Sequence, residues 1–181
     1  NGEATYSLSL QILVLMTVLT VVPSIVLGMT AFTRVIIVLS ILRQALGTQQ
    51  TPPNQVLIAI ALFITFYVMS PIFEIIYETA LNPYLEGTTS APVALSIATD
   101  LMKEFMVANT RTDTMNMFAD MAGVGPFENT KAIPLSIVLP SFITSELKTA
   151  FEIGFLIFLP FLVIDFVIAS ILMSLGMMML S

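Results

Sequence analysis

Apolar positions in this chain come in long unbroken runs, with little alternation and few one-sided stripes. Residues 4–33 carry no charge. The stretch 8–32 alone exceeds the roughly 20 residues that a helix needs to cross a bilayer. Apolar residues resume after Arg34 and run from Val35 to Leu42, where Arg43 precedes Gly47 and a polar turn over 48–54. One straight helix over 8–46 would be roughly 58 Å long, against a hydrocarbon core of about 30 Å. The pattern therefore predicts a break, a steep tilt or an exit from the membrane, with a kink near Pro23 and Gly28. A second uncharged run, 56–73, is broken near Pro71 and followed by Glu74 and Glu78, one helical turn apart on one face.

Residues 79–139 tolerate water better. Pro83, the GTTS run at 87–90 and Pro92 mark a loop. A helix is predicted over 95–108, with Ile97, Leu101 and Phe105 on one side and Asp100, Lys103 and Glu104 on the other. A second, Met-rich helix is predicted over 114–122, ending at Gly123 and Gly125. Residues 131–140 form a proline-bounded apolar stretch, extended or loosely helical. In the last part only twelve uncharged residues separate Glu152 from Asp165, with Pro160 among them, and sixteen follow Asp165. Each run alone is short for a span; taken together they are long enough but place an acid mid-membrane. The expected fold class is all-α: kinked apolar helical hairpins that assemble into a multi-subunit, membrane-associated complex. Three parts are expected in it: an N-terminal hairpin over 8–78, an extramembrane helical region over 79–139 and a C-terminal hairpin over 140–181.

Composition sharpens this. Of 181 residues, 57% are hydrophobic and only 10% charged, against about 25% charged in a soluble domain. Cysteine and histidine are absent, so disulfides, thiolate metal sites and His-based catalysis are excluded, and no cofactor is expected. The net charge of −6 argues against nucleic acid as a partner. Residues 1–6 carry no basic n-region, so no signal peptide is legible there. If the N-terminus lies outside, the positive-inside bias puts Arg34 and Arg43 on the cytoplasmic side and the acidic middle region on the other.

Candidate residues follow from cost. Asp165 is a lone acid between apolar runs, with no base within a turn; it needs a partner or a proton. Its plainer reading is an acid satisfied by a nearby hydroxyl, N–H or base; the sharper ones are an ion pair across a subunit contact, with Arg34 or Arg43 as candidate partners, and a proton relay. In a simple hairpin turning near residue 50, Arg34 lies level with Phe66 and Arg43 with Leu57, far from Glu74 and Glu78. Both arginines are thus expected to pair with a neighbouring subunit, or else to snorkel at an interface. Glu146 and Glu152 join the subunit-contact charges. Met177, Met178 and Met179 are either gap-filling core or a compliant ring, since thioethers adapt to irregular gaps.

Three long segments carry a resemblance. Residues 140–155 (PSFITSELKTAFEIGF), 160–177 (PFLVIDFVIASILMSLGM) and 32–55 (FTRVIIVLSILRQALGTQQTPPNQ) together resemble the FliP family across 8–180. The run LGTQQTPPN fits its flagellar members better than their injectisome relatives. The resemblance implies a core subunit of the flagellar type III export gate in the bacterial inner membrane. Several copies would assemble with FliQ- and FliR-like subunits into a closed pore that passes unfolded flagellar proteins. It also implies a methionine gasket at Met177, Met178 and Met179, a leader removed ahead of Asn1 and a further apolar segment beyond Ser181.

Enzyme readings fail on residue types. Asp165 has no second acid in an apolar run, as an intramembrane aspartyl protease would need. No lysine sits in an apolar run to activate a serine, and no phosphate-binding loop is present. A small-solute transporter or ion channel is the alternative; it should show repeats with paired broken helices, and none is legible.

Overall fold

The computed structural model describes residues 2–48, 50–125, 127 and 129–176, with side chains from Ser7 onward. Every regular element among the described residues is helical, as the unbroken runs require. Helix α1 is Gly2–Gly28 and α2 is Phe32–Ala45. The expected kink falls at 29–31, just past Gly28, while α1 continues through Pro23. Thr30 makes the break: its Oγ1 donates to Leu27 O at 2.7 Å and accepts from the Phe32 N–H at 3.3 Å. A hydroxyl thus takes over backbone groups that a continuous helix would pair.

Helix α3, Asn54–Ile76, returns from α2 after the polar turn. Where a break was expected near Pro71, the helix continues. Pro71 has no N–H for the Tyr67 carbonyl, and the Ser70 hydroxyl donates to that carbonyl instead, at 2.9 Å. A π turn, Tyr77–Leu81, then leads into α4, Asn82–Leu85. Pro83 explains it: in an α-helix its ring would crowd the Thr79 carbonyl, and the wider turn makes room. The loop expected from Pro83 therefore begins only near Gly87, whose φ of 73° suits a residue without Cβ. Helices α5, Ala91–Ala108, and α6, Thr112–Met121, match the two predicted for the middle region. Pro92 lies in the first turn of α5, where a missing N–H costs nothing.

The largest difference from expectation is at the C-terminal end. Leu135–Ser174 is one 40-residue helix, α7, with Pro140 and Pro160 inside it, where two hairpin arms were expected. At 1.5 Å per residue it is roughly 60 Å long, about twice a bilayer's apolar thickness.

The core sits where α5, α6 and the first half of α7 meet. Met106, Met115, Ile133, Ile137, Val138 and Phe142 are its buried members. The Phe105 and Phe142 rings meet edge to face with centroids 6.0 Å apart. Helix α2 lies along α7 in the same direction: Gly28 is beside Ile143, Arg34 pairs with Glu146 and Ile41 abuts Gly154. Past that contact the covering ends. In the second half of α7 Phe155 is 62% exposed and Phe166 75%, and in α1 Leu13 is 63% exposed. Polar groups in these two arms largely satisfy themselves: Thr17, Thr20 and Ser170 donate to carbonyls one turn back. That arrangement is what a helix requires where no water reaches it.

Candidate functional site

Helix α7 carries a belt of charge between its packed and its uncovered halves. Glu146 faces α2. It is 1% exposed, and Arg34 grips it with a two-pronged fork, Nε to Oε2 at 2.9 Å and Nη2 to Oε1. A planar guanidinium matches a carboxylate in this way, and an otherwise prohibitive buried charge is then satisfied. Lys148 and Glu152 lie one turn apart on another face. There they meet the start of α6 with alternating sign: Arg111 Nη2 pairs with Glu152, and Lys148 Nζ with Asp113 at 3.2 Å. The Arg111 N–H also donates to Ser145 Oγ at 3.0 Å. The hydrogen bond from Lys148, with one from the Thr114 N–H behind it, holds the exposed Asp113 carboxyl below its ordinary range. Both outer pairs are solvent-facing and contribute little each; the Arg34–Glu146 fork is the contact of the belt that is closed to solvent on one side.

Several expectations are corrected by these contacts. Arg34 pairs within its own chain, because α2 lies along α7 as well as against α3. Arg43 is also engaged within its own chain: its Nη1 donates to Pro52 O at 3.2 Å and to Asn54 Oδ1 at 2.6 Å, fastening the turn between α2 and α3. Neither arginine meets Asp165. Glu152 likewise pairs with Arg111 of the same chain. The split that put Arg34 and the middle region on opposite sides of a bilayer is corrected too. Arg34 contacts Glu146 and the Arg111 N–H contacts Ser145, adjacent residues of one helix, and a bilayer core of about 30 Å cannot lie between them.

Asp165 is exposed near the centre of the uncovered half of α7, on an open face with Leu162, Val163, Phe166 and Ala169. Met177, Met178 and Met179 lie outside the described residues. Arg111, Asp113 and Lys148 were missed by sequence reasoning. The signal available was the run of alternating charge at 146, 148 and 152 between long apolar stretches, which asks for complementary charges elsewhere.

The fold and the belt define a class: a helical protein with, among the described residues, three helices long and apolar enough to cross a membrane, Ser7–Gly28, Asn54–Leu85 and Leu135–Ser174. Residues 15–181 match the FliP family. The chain is 65% identical over its whole length to the flagellar biosynthetic protein FliP of Cereibacter sphaeroides, covering 60% of that relative. It is 49% identical to those of Pectobacterium carotovorum subsp. carotovorum and Bacillus subtilis (strain 168), over 99% and 96% of this chain and 69% and 79% of theirs. The chain belongs to the FliP family. It spans between about half and four-fifths of the length of the relatives it matches.

Proposed function

We propose that the chain is a core pore-forming subunit of the flagellar type III protein export gate, passing unfolded flagellar proteins across the bacterial inner membrane. The relatives carry the flagellar assignment: those compared are flagellar biosynthetic proteins, which favours a flagellum over an injectisome. The observation that carries the role of a subunit is the contrast between the belt and the arms. The few charges near the belt are spent on holding α2 and α6 to α7, while α1 and 155–174 leave most of their large apolar side chains exposed. Helices of such length, with most of their large apolar side chains exposed, call for neighbours: further copies of this chain, FliQ- and FliR-like subunits, and lipid. The chain serves as structure and conduit, and no catalytic step is assigned to it. Met177, Met178 and Met179 are proposed as the compliant collar that closes the pore.

The test is export in a strain lacking the full-length protein. Restoring that protein returns flagellar proteins to the culture medium. Replacing all three methionines by alanine keeps export but raises ion leakage across the membrane. Normal export without the protein contradicts the gate, and unchanged conductance in the triple variant contradicts the collar.

A further inference from the structure

At residues 29–31 the chain bends where its backbone would permit a straight helix. The turns of the joint are still right-handed: the Met29 N–H donates to Ile25 O at 3.0 Å and to Val26 O at 3.1 Å, and the Thr30 N–H to Leu27 O at 3.1 Å. Ala31 has φ −68° and ψ −1°, about 40° in ψ from an α-helical residue. Among the described residues positive φ is confined to Gly47, Gly87, Gly123, Gly125 and Gly176. No residue of the joint therefore bars a continuous helix. A short three-residue turn between two α-helices is a common form of hinge.

The bend is held by one side chain. Thr30 is 3% exposed and Ala31 7%, so water is not at hand for the freed backbone groups. Thr30 Oγ1 serves two of them, donating to Leu27 O and accepting from the Phe32 N–H. Gly28 lies against Ile143, and Met29 packs on the core of α5, α6 and α7. The joint is thus anchored, while the arm ahead of it is open: Leu10 is 60% exposed and Leu19 61%. Such an arm takes its direction mainly from the joint. Without the hydroxyl, the Phe32 N–H would lose its acceptor beside a buried residue, which is unfavourable. A continuous helix offers it the Gly28 carbonyl instead, four residues back.

We propose that Thr30 is a positioning residue: its hydroxyl holds α1 at an angle to α2, and without that hydroxyl the two helices run on as one. The span Ser7–Gly28 has 22 residues and is roughly 33 Å long. A swing of about 20°, the size of a sharp helix kink, moves its far end by about 11 Å. The consequence for assembly rests on the reading of the chain as a gate subunit, since a redirected arm presents its apolar sides to different neighbours.

The experiment places nitroxide labels on a cysteine-free background of the full-length protein in detergent, diluted with unlabelled copies so that each distance lies within one chain. One pair, Leu10→Cys with Leu95→Cys, measures the arm against α5. A control pair, Leu95→Cys with Phe155→Cys, measures the body. All three sites are exposed. Thr30→Val keeps the branched shape and shifts the arm distance by about 10 Å, the displacement of a 20° swing, while the control distance stays. Thr30→Ser keeps a hydroxyl and keeps the parental arm distance. Thr30→Ala, smaller and without a hydroxyl, shifts it as valine does. A parental arm distance in either Thr30→Val or Thr30→Ala overturns the proposal. A shift in Thr30→Ser as large as that in Thr30→Val overturns it too, because side-chain size then sets the angle. So does a control pair that moves with the arm, because the body has then changed. The readout is a distance within one chain, so a failure of the gate reading in the export assay leaves it unaffected.

Discussion

Arg34→Met is expected to cost the fold about 3 kcal/mol, the lower end of the range for stripping a buried charge of its partner. The variant leaves Glu146, 1% exposed, with no cation. The lower end applies because the Arg34 side chain is 34% exposed and water reaches part of the pair. The converse change is milder. Glu146→Gln keeps an acceptor for one prong of the fork, and Arg34 turns its charge toward solvent, for a cost of about 1–2 kcal/mol. Removing both charges together, Arg34→Met with Glu146→Leu, is expected to return to within about 1 kcal/mol of the parent, since apolar pairs replace buried ion pairs well. Thermal unfolding of the full-length protein in detergent, followed by circular dichroism, checks the order. A loss of about 3 kcal/mol lowers Tm by roughly 6–12 °C in a unit of about 150–250 residues. Equal losses for the two single variants would contradict the buried, one-sided fork.

Gly154→Leu is expected to separate α2 from α7 and to cost about 3 kcal/mol, the upper end for overpacking. Even a Cβ at this position would stand 2.3 Å from Ile41 Cδ1, 3.0 Å from Cγ2 and 3.2 Å from Cβ. Ile41 Cδ1 can swing away, but Cγ2 and Cβ are fixed by β-branching on a helix. Gly154→Ala is the gentler form: its clash is offset in part by the roughly 1 kcal/mol that alanine gains over glycine within a helix. Ile41→Ala should lower Tm alone, yet raise it in the Gly154→Leu background, because it vacates the space that leucine needs. Simple additivity of the two changes would show that the helices do not touch here.

How much of this was legible depended on range. The all-helical class and the two middle helices followed from run length and local periodicity, and the turn glycines Gly47, Gly87 and Gly123 from their neighbours. The prolines misled. Pro71 reads as a break until Ser70 is seen covering the Tyr67 carbonyl, and Pro140 reads as the bound of a separate stretch and Pro160 as an interruption although α7 runs through both. In apolar helices a missing N–H is tolerated where neighbouring groups take up the freed carbonyl. The belt was illegible for another reason. Arg34 and Glu146 are 112 residues apart, and nothing local to either indicates that α2 lies along α7. Hairpin geometry pointed to α3 as the neighbour of Arg34, so the partner was sought in another subunit. Asp165 was the opposite case: its oddity was plain from sequence, and within this chain both arginines proposed for it are held elsewhere.

The account turns on α1 and the far half of α7 being covered by other polypeptides in the assembled state. Native mass measurement of the full-length protein, extracted gently and purified in detergent, tests this most directly. The predicted result is one particle holding several copies of this chain together with other small membrane proteins. A particle containing a single copy, with both arms wrapped only in detergent, would contradict it.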